Sequence, residues 1–195
     1  MKKLLMLFIA IVLVAVPLGF RALLQSSDSR ICTSYKGFAV DEDRNLYIGM
    51  DHAIAVYDPY GNELREVKLP TSRGYKFTIS DNNEIIIYTG ENFYIADLCG
   101  EVRQVLPVTD ENRRNAPEMS YRSFTAADGT KYVMKSWLFR PAVYRLDDEQ
   151  KVMIYEMPDV DYCAKLIDMA VLIGLFAVCI TAAFSSFKTK KRCTD

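Results

Sequence analysis

Between Tyr35 and Pro70 the apolar and polar positions alternate in four short bursts. Gly37-Phe-Ala-Val40, Asn45-Leu-Tyr-Ile48, Ile54-Ala-Val-Tyr57 and Glu63-Leu-Arg-Glu-Val-Lys68 are rich in β-branched and aromatic residues. Asp, Asn and Gly separate them, so the stretch predicts four antiparallel strands joined by tight turns. The pattern recurs. At an offset of 39 residues Phe38 falls on Phe77, Val40 on Ile79, Leu46 on Ile85, Asp58 on Asp97 and Gly61 on Gly100. At a further offset of 47, Phe77 falls on Phe124, Asp81 on Asp128 and Ile85 on Tyr132. The three copies are 35–70, 74–107 and 121–158, together a β-repeat domain over 35–158.

The turn residues keep the same register. Asp41–Asn45, Ser80–Glu84 and Ala127–Lys131 fall between the first and second strands of their copies. Asp and Asn bond their own backbone and tolerate the left-handed conformation, which Gly129 adopts at no steric cost. Asp58-Pro-Tyr-Gly61 and Asp97-Leu-Cys-Gly100 fall between the third and fourth strands, Asp opening the turn and Gly closing it. Four strands in a repeat of roughly 40 residues is the period of a propeller blade. The expected fold is mainly β, three tandem four-stranded blade-like meanders forming a partial propeller. Three unrelated meanders in a β sandwich are the alternative.

Two long uncharged runs flank the repeats. Leu4–Phe20 follows Met1-Lys-Lys and ends at Arg21, making 1–21 an N-terminal transmembrane anchor or signal peptide; 22–34 is a polar tether. Met169–Phe187 is a second run, so 165–187 is expected to be a C-terminal transmembrane helix, closed by a basic tail over 188–195. With the basic ends inside, the β domain lies outside the cytoplasm, both chain ends being cytoplasmic if the first segment is uncleaved. Lys165 and Asp168 are spaced to pair on one helix face. Ala170, Gly174, Ala177 and Thr181, with Ser185 a turn later, form a small-residue stripe suited to helix packing.

Charge adds one division. The chain carries a formal −1, but acids outnumber bases between Ala22 and Ala164 while both flanks are basic. An acidic domain between basic ends argues against nucleic acid. The five cysteines make no disulfide framework or zinc motif, although a Cys32–Cys163 bridge is an open alternative to free thiols. Asp41–Asn45 begins like a calcium loop, yet Leu46 stands where Gly is needed and His52 where the closing Glu belongs. His52 reads as a turn residue. The proline-bracketed segment Pro107–Ser120 reads as a surface loop, with Arg113-Arg114 solvated. Neither a phosphate-binding glycine loop nor a nucleophile elbow occurs, and no catalytic residue, metal or cofactor is assigned.

One hairpin tip departs from its sisters. Where the first copy has Asp51-His52 and the second Gly90-Glu91, the third has Ser136-Trp-Leu-Phe-Arg-Pro141. Trp137, Leu138 and Phe139 are therefore the candidate partner contact, either a protein anchor or a dip into a membrane interface; the competing reading folds them back as core.

Gly37–Asp41, Asn45–Ile48 and Ile54–Gly61 resemble the NHL-type repeat of six-bladed propellers, a similarity that fades from the first copy to the third. The resemblance speaks to fold more than activity. The leading expectation for function is a membrane-anchored extracytoplasmic binding or scaffolding module, a subunit or interaction protein rather than an enzyme. The alternative is a propeller-type hydrolase resembling gluconolactonases, assembled by oligomerisation; it requires carboxylates from different copies to converge on one point. Three blades leave edges and faces to cover. A second copy of the chain, another membrane or extracytoplasmic protein, or closure into a smaller barrel would do so; the lipid bilayer is the other expected partner.

Overall fold

The computed structural model describes residues 12, 14–24, 31–51, 53–69, 74–114, 116–117, 119, 122–126, 128–147 and 150–191, without the side chains of 178 and 181–191. His52, Cys193, the start of the N-terminal run and the side chain of Thr181 lie outside that set. The chain divides into two units. Cys32–Met157 forms one, and the segments up to Ile31 and from Pro158 onward form the other.

In the first unit each sequence copy is one antiparallel four-stranded meander. Copy 1 is β1 (Gly37–Val40), β2 (Leu46–Gly49), β3 (Ala53–Tyr57) and β4 (Glu63–Lys68). Copy 2 is β5 (Lys76–Ile79), β6 (Glu84–Tyr88), β7 (Asn92–Asp97) and β8 (Val102–Pro107). Copy 3 is β9 (Ser123–Thr125), β10 (Lys131–Trp137), β11 (Arg140–Asp147) and β12 (Gln150–Glu156). Strands pair in chain order within each sheet. A bulge falls at the same place in copies 1 and 2, at Val56/Tyr57 and Ile95/Ala96, and one pair earlier along the third strand in copy 3, at Val143/Tyr144. One extra residue there bends and twists the outer strand, and its recurrence marks one unit used three times.

The copies do not stack in chain order; copy 1 stands in the middle. On one of its faces Phe38, Val40, Leu46 and Ile48 pack with Tyr132, Val143 and Tyr155 of copy 3. On the other, Tyr47, Ile54, Val56 and Val67 pack with Phe77, Ile85 and Ile87 of copy 2. Successive residues of a strand point to opposite faces, so Leu46 and Ile48 serve one interface and Tyr47 the other. That explains why β1, β2 and β3 read as unbroken apolar runs, a sign of burial on both sides. Each fully buried side chain of this size contributes about 1.5–3 kcal/mol.

The outer face of copy 2 is not bare. The segment after β8 contains a short helix, α2 (Asp110–Arg114), and Asn112 and Pro117 lie over Ile86, Phe93 and Ile95, leaving a cleft of about 320 Å³. The expected surface loop is thus a cover for an apolar sheet face. It also occupies the face to which a further blade would add.

In the second unit, residues 14–24 form α1 and Asp159–Lys191 forms α3. Arg21 Nε on α1 donates to Asp168 Oδ1 on α3 at 3.1 Å; Asp168, expected to meet Lys165, is engaged by Arg21. The two transmembrane helices expected from the sequence are corrected: among the described residues no helix is long and apolar enough to cross a membrane. Over the described residues α1 covers 14–24, and α3 carries Asp159, Asp161, Lys165 and Asp168 in its first turns, ahead of the apolar Met169–Ile180. On α3 Gly174 is buried, whereas Ala170 and Ala177 are exposed.

Candidate functional site

Each sheet has a proximal end, where the chain enters its first strand and leaves its fourth, and a distal end carrying the first and third turns. The distal turns share one backbone design. Asp41 N bonds Asn45 O, Ser80 N bonds Glu84 O, and Ala126 N bonds Thr130 O, each enclosing a tighter second bond. The left-handed residue inside them is Arg44, Asn83 or Gly129. The outer turns repeat the logic. Asp58 Oδ1 accepts from Tyr60 N and Asn62 N, both at 2.8 Å, and Asp97 Oδ1 accepts from Cys99 N and Glu101 N. The Asp58, Asp97 and Asp128 carboxylates are lowered from the ordinary value, Asp58 through the Asn62 side-chain amide, Asp97 through the Glu101 N–H and Asp128 through the Thr130 N–H, each foremost.

The first turns of all three copies border one cavity of about 530 Å³, with Glu42, Asp81 and Asp128 at its rim and Val40, Ile79 and Phe124 in its wall. Carboxylates from different copies therefore do share a cavity. Most are already engaged, however. Asp41 accepts from Asn45 N, Asn45 Nδ2 and Tyr47 OH. Glu42 accepts from Asn83 at 3.2 Å, and Asp128 pairs with Arg44 across copies. Among the described residues no three His, Cys, Asp or Glu side chains are placed to hold a metal ion. Beside these turns lies the buried Tyr132 ring, whose hydroxyl has no hydrogen-bond partner among the described residues; burial raises its pKa, with Arg145 and Arg44 opposing. Burial also raises Tyr47, and the Asp41 charge adds to it.

At the proximal end the tips close over two residues in every copy, and copy 3 departs in what fills the turn. In copies 1 and 2 the tips close on Met50/Ala53 and Thr89/Asn92 through single backbone bonds. In copy 3 Trp137 pairs with Arg140, so Leu138 and Phe139 alone make the turn. Their φ values are 45° and 69°, the left-handed pair of a two-residue hairpin that ordinarily takes Asn-Gly. For bulky L-residues this costs about 1–2 kcal/mol each. The side chains are nonetheless in solvent: Trp137 is 79% exposed, Leu138 62% and Phe139 54%. The three side chains are exposed, so the reading that folds them back as core does not hold.

The tip sits on a fixed base. Arg140 Nε donates to Met157 O at 3.0 Å, and its Nη2 lies 3.4 Å from Glu156. Met157 N bonds Pro141 O, and Lys36 N bonds Gly49 O. Both chain ends of the domain are thereby pinned to the proximal end. Sequence reasoning missed this clustering, which follows from the even number of strands per copy. Cys32 is buried, and among the described residues no disulfide joins it to Cys163.

No protein-family model matches the chain, and no curated protein matches it. Among solved structures it is similar to a streptogramin B lyase, with 14% identity and a TM-score of 0.36 over 67% of this chain and 43% of that one. A protein of unknown function from Bacteroides caccae is 9% identical with a TM-score of 0.32, over 65% of this chain and 61% of the other. The chain thus spans less than two thirds of either structure. The blade-like description rests on the three sheets themselves, and the NHL likeness on the residue pattern alone.

Proposed function

We propose that this propeller-like β-repeat domain is a binding or scaffolding module that engages its partner through the Trp137-Leu138-Phe139 tip. One observation carries the reading. Two apolar side chains are held in a costly left-handed turn, beside the chain's single Trp, and project into solvent rather than into the core. Strain of this kind persists where the surroundings impose it, and it gathers at binding sites. Exposed aromatic anchors in turn dominate binding energy at interfaces. The rest of copy 3 supplies rigidity, since β10 and β11 pair over their whole length.

The test is a photo-crosslinking side chain placed at position 139 of the full chain in intact cells, with position 90, at the sister tip, as the control. Crosslinked product from 139 and little from 90 supports the reading. Equal yields from both, or none from either, would count against it.

A further inference from the structure

We infer that the partner of this tip is an anionic lipid surface, which the proximal end of the domain meets edge-on. The inference rests on the tip being a contact, and adds what it contacts. Its independent support is charge. Among the described residues, Lys36, Lys68, Lys76, Arg122, Lys135 and Arg140 stand on or beside the proximal strand ends, against the acids Asp51, Glu66, Glu91 and Glu156. Helix α2, at the same end, is balanced, with Asp110 and Glu111 against Arg113 and Arg114. The distal end is the reverse, its turns carrying Asp41, Glu42, Asp43, Asp58, Asp81 and Asp97. The domain is therefore polarised along its strands, basic toward the tip and acidic away from it.

Three further observations select lipid over a protein pocket. Trp with two aliphatic or aromatic neighbours above a basic collar is the composition that settles at headgroup depth, where the ring is apolar at one end and wet at the other. The tip is a convex point rather than a groove, so it suits a deformable surface. The chain also enters at Lys36 and leaves at Met157 on this same end, and its longest uncharged runs, Leu4–Phe20 and Met169–Phe187, lie beyond those points in sequence. An edge-on contact of this kind needs no spanning segment.

Trp137 is the only Trp in the chain, so its fluorescence reports the tip and nothing else, whatever else holds the protein to a vesicle. The full chain would be mixed with phosphatidylcholine vesicles with and without phosphatidylserine, using brominated lipid as the quencher from the bilayer side and acrylamide from water. The expected result is a blue-shifted emission, quenched by brominated lipid and protected from acrylamide, with phosphatidylserine present and reversed by high salt. Lys135→Gln should weaken that protection about fivefold, the effect of one basic residue at an anionic surface.

Emission that stays water-like with phosphatidylserine overturns the lipid assignment. Equal protection without phosphatidylserine overturns its anionic character. A protein crosslink from position 139 together with water-like emission would sink this inference and leave the binding reading standing. Absence of both would sink the two together.

Discussion

The distal and proximal ends of the three sheets are built from the same strands, yet they follow opposite rules. At the distal end each copy repeats its solution. An Asp, Ser or Ala starts the turn, a left-handed residue closes it, and nearby side chains or backbone satisfy its polar groups. At the proximal end the three tips all close over two residues, on Met50 and Ala53, on Thr89 and Asn92 and on Trp137 and Arg140, but what fills them differs: only in copy 3 are two bulky apolar residues held left-handed among the described residues. Where every local choice agrees with the fold, the sequence is serving folding; a local conflict that persists marks a place where something else is being selected. The Leu138-Phe139 turn is such a conflict.

The sharpest way to break this comparison is at the distal end. Gly61 has φ 88°, and a Cβ there would lie 2.5 Å from the Ile154 carbonyl oxygen of copy 3. Gly61→Ala adds left-handed strain to a backbone clash between copies, and should cost on the order of 3 kcal/mol. Gly129 has a similar φ of 84° but nothing within 4 Å, so Gly129→Ala should cost only about 1 kcal/mol. Urea unfolding of the two variants separates strain from contact. Equal midpoints would mean that the Gly61 turn does not touch copy 3.

The proximal end should respond with the opposite sign. Leu138→Asn combined with Phe139→Gly puts the residues preferred by a two-residue hairpin into the turn. Relief of two left-handed bulky residues should raise stability by about 1–2 kcal/mol, seen as a higher melting temperature. The same change should remove the crosslink and the lipid protection of Trp137, a trade of function for stability. A drop in melting temperature would mean that the tip is packed as core and would erase the contrast between the two ends.

Most of the fold was legible because the repeat is written in turn chemistry. Asp58 and Gly61 name their turn, Asp97 and Gly100 name the same turn 39 residues on, and the strands between follow. The tip was legible as a departure from two polar sisters. The stacking order was not read, although its signal lies in the alternation. Copy 1 is apolar at successive positions such as Phe38-Ala39-Val40, so both its faces are covered. Copy 3 places Lys131, Lys135 and Lys151 on its strands, so one of its faces is wet. The cover over copy 2 was hidden because Ala116 and Pro117 act through position, with no pattern of their own. The expected spans rested on uncharged runs, whereas among the described residues no helix is long and apolar enough to cross a membrane.

The smallest expected effect tests the distal end by pH. Asp58, Asp97 and Asp128 are all held low by amide donors in their own turns, helped by Arg103 at Asp97 and by Arg44 at Asp128. Their folded pKa lies below the unfolded carboxylate value of about 3.9, so the unfolded chain binds more protons in the acid range. The stability they contribute is complete above about pH 4 and is lost as pH falls through their folded values. All three are at least partly exposed and screened by solvent, so the loss is modest. The proximal tip has no titratable side chain among Trp137, Leu138 and Phe139 and should not take part. Amide exchange should therefore quicken with acid, beyond its intrinsic pH dependence, at Asn62, Glu101 and Thr130, whose N–H groups bond these carboxylates, and not at Trp137 or Arg140. Matched acceleration at both ends would show that acid loosens the sheets as a whole, and the division of labour between the ends would then fail.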